Sequence, residues 1–368
     1  MKPRQNRRGF LLSKLDKEDS MGQAISKLTI KGYKSIRNLE NFELRNLNIL
    51  IGPNGAGKSN FVSFFELLQA IPKEKGLPNF YVERKGGAYR FLYLGPKVTR
   101  SIKIELIMNS LPIYTKELSV TLNDKFIDTF HASTRTIAAD PNYAHLKIKD
   151  IEEHFSSFIV YHFHDTSDFA AVKRPCSKRD YEYLRSDASN LTAFLLQLKK
   201  KHQREYTFIR EVIQLAAPFF DDFWLREEED KDDILLEWCQ KGSDYPFHPS
   251  QISDGTLRFI CLATALLQPN PPSTILLDEP ELGLHPYALT LMAGLIQKAS
   301  LKTQVIVSTQ SSPLIDHFEP EDIVVVERKN GESIFKRLNK ADLKVWLDDY
   351  SLGELWQKNV FGGRPARE

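Results

Sequence analysis

The stretch Gly52-Pro53-Asn54-Gly55-Ala56-Gly57-Lys58-Ser59 decides how this chain is read. It satisfies G-x-x-x-x-G-K-[ST] at every fixed position, and its flanks supply the context that gives the pattern meaning. Leu47-Asn48-Ile49-Leu50-Ile51 before it reads as a buried strand, and Asn60-Phe61-Val62-Ser63-Phe64-Phe65-Glu66-Leu67-Leu68 after it reads as a helix. In a strand–loop–helix unit the glycines let backbone close around phosphate. Successive N–H groups and the positive end of the helix dipole then face the anion. The expectation is a nucleotide cradle formed by Gly52, Pro53, Asn54, Gly55, Ala56, Gly57, Lys58, Ser59 and Asn60, with Lys58 on the β- and γ-phosphates and Ser59 on Mg²⁺.

Composition bounds what surrounds this loop. At 368 residues, 42% hydrophobic and 27% charged, the chain can bury a substantial core as two or three units or one large α/β unit with an insertion. A net charge of +2 is too small to indicate nucleic acid by itself. No apolar run approaches the roughly 18 residues of a membrane span. Phe10-Leu11-Leu12 is too short for a secretory signal core. Cys176, Cys239 and Cys261 are scattered and form no C-x-x-C pair, so a reducing cytoplasm is expected, with neither a disulfide framework nor a zinc site.

Along the chain, residues 1–23 read as a charged N-terminal extension. Ile25, Leu28, Ile30 and Tyr33, then Leu39, Phe42 and Leu44, predict a short antiparallel meander feeding the strand before the loop. Residues 73–85 read as a loop, and 89–94, 101–108 and 117–122 as strands of an antiparallel β subdomain, so that 24–165 makes the first part of a nucleotide-binding lobe. Phe158-Ile159-Val160-Tyr161 is another strand, and His162, His164 and Asp165 behind it suggest polar structural roles more than a metal. Residues 166–250 form a helical lobe, with one or two helices over 184–215 and a strand at 234–238. The basic stretches Lys199–Arg204 and Lys173, Arg174, Lys178 and Arg179 are candidates for an electrostatic DNA contact, set against the more ordinary reading of solvated faces.

Residues 251–338 carry the second half of the chemistry. Ser253-Asp254-Gly255-Thr256 opens an apolar helix ending near Leu267. Thr274-Ile275-Leu276-Leu277-Asp278-Glu279 is an apolar strand finishing in two carboxylates, followed by a turn and a helix over 287–298. Gln304-Val305-Ile306-Val307-Ser308-Thr309-Gln310 is a further buried strand, and 322–327 another. Strands alternating with helices imply a parallel sheet, whose carboxyl ends are where ligands sit. There Asp278 would hold Mg²⁺ and Glu279 would orient and deprotonate an attacking water. Phosphoryl transfer needs mainly positioning and charge stabilisation.

The ordered set of phosphate loop, S-D-G-T helix, L-L-D-E-P-E-L-G-L-H-P and S-T-Q-S-S-P-L-I-D resembles the RecF/OLD-like branch of ABC-type ATPases, which is grouped with SMC proteins. The resemblance covers 25–60 and 250–316. It implies an α/β fold with a mixed central sheet, an antiparallel β subdomain and a helical lobe. It also implies ATP and Mg²⁺ as cofactors, hydrolysis to ADP and phosphate, and an ATP sandwich between two copies. There Ser253, Asp254, Gly255 and Thr256 would face the γ-phosphate held by the other copy. Where many relatives carry His, this chain has Gln310, which can donate to phosphate but cannot titrate. Slow but real hydrolysis is expected, with Glu279, Lys58 and Gln310 as the catalytic set.

The stretch between Ser59 and Ser253 is too fully used to form the long coiled coil of SMC proteins, and the chain beyond Asp316 is too short for the Toprim nuclease domain of OLD proteins. Residues 339–368 read as a helical tail whose Trp346, Tyr350 and Trp356 serve either core packing or partner docking. The leading reading is a homodimeric ATP switch in DNA maintenance or anti-phage defence. The alternative is an ATP-gated scaffold for an effector such as a nuclease or toxin. A transporter ATPase or small-molecule kinase fits the S-D-G-T helix poorly.

Overall fold

The computed structural model describes residues 24–74, 77–108, 113–135, 148–227 and 230–363. The N-terminal extension read over 1–23 lies outside them. The elements run β1 (Ile25–Tyr33), β2 (Ile36–Glu43), β3 (Leu47–Ile51), α1 (Lys58–Lys73), α2 (Asn79–Arg84), β4 (Ser101–Met108), β5 (Ile113–Val120), β6 (Phe126–Arg135), α3 (Ile148–His154) and β7 (Phe158–Tyr161). They continue with β8 (Cys176–Ser177), α4 (Leu191–Lys201), α5 (Gln203–Ala216), β9 (Phe220–Trp224), β10 (Asp233–Ile234), β11 (Glu237–Gln240), β12 (Pro246–Phe247), α6 (Asp254–Leu267), β13 (Thr274–Asp278) and α7 (Pro286–Ala299). The last are β14 (Gln304–Thr309), α8 (Ser312–Ile315), β15 (Ile323–Lys329), β16 (Glu332–Arg337), α9 (Lys340–Leu347) and α10 (Leu352–Gln357). This is the mixed α/β architecture expected.

The chain divides into two compact units. Of the described residues, one unit comprises those within 24–160, 272–278 and 300–363, and the other those within 161–271 and 279–299. In the first unit a six-stranded mixed sheet has the order β16-β15-β3-β14-β13-β7. Strands β15, β3, β14 and β13 are parallel neighbours, while β16 returns antiparallel to β15. Every residue of β3 and β14 is buried, which is why these strands read as continuous apolar runs rather than alternating ones. A five-stranded antiparallel sheet, β2-β1-β4-β5-β6, lies in the same unit. Helix α1 buries Phe61, Phe64, Phe65, Leu67, Leu68 and Ile71, and edge-to-face rings join Phe64 to Tyr33 and Phe65 to Phe158.

The second unit carries α4, α5, α6 and α7 with the small sheets β10-β8 and β12-β11-β9. The predicted helical segment at 184–215 is two helices, because His202 leaves helical geometry at φ −132° and ψ 57°.

Three local readings need correction. Residues 89–94 are not a strand. Gly86 and Gly87 take positive φ, and the Asp124 carboxylate accepts from the Tyr89 N–H, which draws Ala88–Phe91 into a 3₁₀ turn. Residues 79–84, read as loop, form α2, anchored by buried Val82 and by Glu74 accepting from the Phe80 and Tyr81 N–H groups. The strand read at 234–238 is two strands in different sheets, Ile234 pairing with Cys176 and Trp238 with Phe223.

Candidate functional site

The parallel register brings the phosphate loop and the later motifs to one edge of the sheet. Ser308 pairs with Leu50 and Thr309 with Ile51, while Asp278 pairs with Ser308. The carboxyl ends of β3, β14 and β13 therefore stand at one level. The phosphate loop, Gln310 and Asp278 emerge there, as a ligand site in a parallel sheet requires. Gln310 Nε2 donates to Asn54 Oδ1 at 2.7 Å, which ties the residue after β14 to the outer rim of the loop.

Long-range packing sets the loop's conformation. Lys58 is 5% exposed, and its Nζ donates to Gly52 O at 2.7 Å and Pro53 O at 3.1 Å, so the ammonium sits inside the loop. Gly57 takes φ 114° as the N-cap of α1, and a Cβ there would lie 2.0 Å from Ser333 Oγ. At Gly52 a Cβ would lie 2.1 Å from Val326 O on β15, whereas at Gly55 it would meet nothing within 4 Å. The buried glycines are thus closed against the β15–β16 hairpin, and the open one faces free space.

That hairpin supplies residues that motif reading missed. Ser333 Oγ donates to Ala56 O at 2.6 Å and lies 2.7 Å from Ser35 Oγ, and Asn60 Nδ2 donates to the same Ser35 Oγ at 2.7 Å. The β1–β2 turn and β16 therefore brace the phosphate loop from behind. A sequence signal was available. Asn330-Gly331, with both φ positive (53° and 77°), is the dipeptide that favours a two-residue hairpin turn, and it announces β16 after β15.

The oxygen donors Ser59 and Asp278 are of the type that a small hard cation takes. Open space at Gly55 and the ammonium inside the loop suit a polyphosphate, so the residues present fit MgATP.

In the second unit, Ser253 caps α6. Its Oγ accepts from the Thr256 N–H at 3.3 Å and lies 2.8 Å from Thr256 Oγ1. The Thr256 N–H expected to face phosphate is thus engaged by the cap. Ser253 and Asp254 are exposed, and Gly255 and Thr256 are half-buried. The backbone of α6 rests on the turn that follows Glu279, since a Cβ on Gly255 would lie 2.3 Å from Gly283 O. Glu279 holds φ 43°, the left-handed region that non-glycine residues seldom enter. Burial pushes the Cys261 thiol, on the same helix, up to about 12.

Other candidates resolve into structural roles. Gln69 on α1 ties that helix to β7, its Nε2 donating to Phe158 O at 2.9 Å. Among the described residues no group of three or more His, Cys, Asp or Glu could hold a metal ion. The basic stretches are largely engaged within the chain. Lys199 pairs with Asp222 at 3.3 Å, Lys200 with Glu227, and Lys201 lies over the Tyr181 ring. Lys173 is buried on Thr166 O, Lys178 donates to Lys231 O at 2.8 Å and Arg179 pairs with Asp232 at 3.1 Å, while Arg174 and Arg204 are exposed. Of the tail aromatics, Trp346 is exposed and Trp356 half-buried. No helix among the described residues is long and apolar enough to cross a membrane.

No curated protein matches the chain. Among solved structures, the Smc head bound to the C-terminal winged-helix domain of ScpA is similar at TM-score 0.58 and 16% identity, over 86% of this chain and 99% of that one. An Smc head with an extended coiled coil, bound to the C-terminal domain of ScpA from Pyrococcus furiosus, is similar at TM-score 0.56 and 16% identity, over 89% of this chain and 99% of that one. At such identities the likeness concerns the fold, which is that of an SMC-head, ABC-type P-loop ATPase. A family model matches residues 47–316, which include the phosphate loop, the S-D-G-T helix and both later strand ends, and the chain belongs to that family, described as "AAA domain, putative AbiEii toxin, Type IV TA system".

Proposed function

We propose that this protein binds MgATP in the phosphate loop, hydrolyses it slowly, and uses the bound nucleotide to join two copies. The observation that carries the reading is the strand register that sets Asp278 and Gln310 level with the phosphate loop, with Gln310 already bonded to Asn54. Lys58 holds the β- and γ-phosphates from inside the loop. Ser59 and Asp278 hold Mg²⁺, which when bound neutralises phosphate charge. Glu279 takes the proton of the attacking water, and Gln310 donates a hydrogen bond to the γ-phosphate. Ser253, Asp254, Gly255 and Thr256 present an exposed helix start to the nucleotide of the second copy. Turnover with Lys58→Ala and Glu279→Gln tests this, alongside light-scattering mass with and without MgATP. Lys58→Ala should lose binding, and Glu279→Gln should bind, dimerise and stall. A Glu279→Gln protein that stays monomeric in saturating MgATP sinks the dimer reading.

The biological setting we infer is anti-phage defence, ahead of DNA maintenance. The family description refers to a toxin–antitoxin system, and few of the basic side chains proposed for DNA stand clear of internal partners. Salt-dependent, ATP-dependent DNA binding would restore the DNA reading. The second reading, an ATP-gated scaffold holding an effector, is favoured by exposed Val345 and Trp346 on α9 and by the ScpA domains bound to the similar Smc heads. Co-purification of a neighbouring gene product that ATP releases would support it.

A further inference from the structure

We propose that Arg258 is a positioning residue that fixes the turn carrying Glu279 and thereby joins the start of α6 to the hydrolytic base. The inference rests on the reading of Glu279 given above. Arg258 lies in the second turn of α6 and is 8% exposed. Its guanidinium meets three backbone carbonyls from two separate segments. Nε donates to Phe163 O at 2.9 Å, Nη2 to His164 O at 3.0 Å, and Nη1 to Leu282 O. A planar fork of five N–H donors can span such a set, whereas an ammonium cannot.

The turn that receives Nη1 is the one Glu279 begins. Leu282 N–H donates to Glu279 O at 3.3 Å, and Leu284 N–H to Glu281 O at 3.1 Å. Glu279 sits at φ 43°, a conformation that persists only where the surroundings over-determine it. Two contacts supply that constraint. Gly255 lies flush on Gly283 O, and Gly283, at φ 72°, leaves so little room that a Cβ would lie 2.9 Å from Arg258 Nη1. The helix start that would face the second copy's nucleotide and the turn that aims Glu279 are therefore one fastened piece. Occupancy of Ser253–Thr256 reaches Glu279 through Arg258 and the Gly255–Gly283 contact.

The test compares Arg258→Met and Arg258→Lys with wild type by hydrogen exchange over residues 279–286 without nucleotide, and by ATP Kd and kcat. In Arg258→Met the Leu282 and Leu284 amides should exchange at least about tenfold faster, with protection in the rest of α6 retained. Its kcat should fall about tenfold or more while Kd stays within about twofold. Arg258→Lys keeps the charge and should lie between. If Arg258→Met does not fold, the lysine variant carries the comparison alone. Unchanged exchange over 279–286, or kcat and Kd failing together with protection lost across α6, overturns the proposal. A wild type that binds ATP without turnover removes the hydrolysis reading and leaves Arg258 to be judged on exchange.

Discussion

The phosphate loop and the start of α6 are both phosphate-facing in the proposed function, but they are held in different ways. The loop is encased. Gly52 abuts Val326 O, Gly57 abuts Ser333 Oγ, and Lys58 is folded inside, so its shape comes from a hairpin far along the chain, Ser333 lying 277 residues beyond Ala56. The start of α6 has Ser253 and Asp254 exposed, carries its own short-range Ser253 cap, and is held on its inner side by Gly255 and Arg258, with Lys173 3.9 Å from Asp254. Each unit thus offers a different kind of surface: a loop shaped by distant strands in one, and a self-capped helix start in the other.

This contrast can be broken by experiment. The largest effect is expected on the chemical step. Glu279→Gln should lower turnover about 10²–10⁴-fold, the usual worth of a general base, with ATP binding retained in a filter or fluorescence assay. Gly57→Ala should act on the encased side. The strained φ and the clash with Ser333 should cost about 1–3 kcal/mol in a denaturant titration and weaken ATP about 100-fold. If Gly57→Ala binds normally, the loop is not preformed.

Ser333→Ala sharpens the same point with a milder change. Loss of its bonds to Ala56 O and Ser35 should cost about 1 kcal/mol and reduce ATP affinity tenfold at most. On the open side, Ser253→Ala should cost about 1 kcal/mol, seen as faster exchange confined to the first turn of α6. Its ATP affinity as a monomer should not change. The smallest effect concerns Cys261. With the thiol pushed up to about 12, the reactive thiolate is scarce at pH 8, and iodoacetamide should leave Cys261 unlabelled until the protein is denatured, as mass spectrometry can show.

Much of this was legible in the sequence because it is local. G-x-x-x-x-G-K-S declares its turn through its own glycines, and the fully buried β3 and β14, with β13 buried up to Asp278, declare themselves as mainly apolar runs. Ser253 four residues before Leu257 announces a capped helix. The failures occurred where distant partners override local preference. Tyr89–Leu94 has strand-like composition, yet Asp124 and the flanking glycines bend it. Ile234 and Trp238 read as one strand, yet pair into different sheets.

The sequence by itself determined that a phosphate-loop motif lies between a strand and a helix, which residues would line a nucleotide there, and that the chain alternates strands and helices after it. Those conclusions rest on backbone freedom, side-chain chemistry and periodicity over a few residues. Only the tertiary structure decided what holds the phosphate loop in shape and what fastens the turn that begins at Glu279. Ser333 braces the loop from a strand far along the chain, and Arg258 gathers carbonyls from two segments that no spacing rule connects. The physical reason is the same in both cases. A buried donor takes whichever acceptor the packing brings near, and sequence separation does not enter that choice.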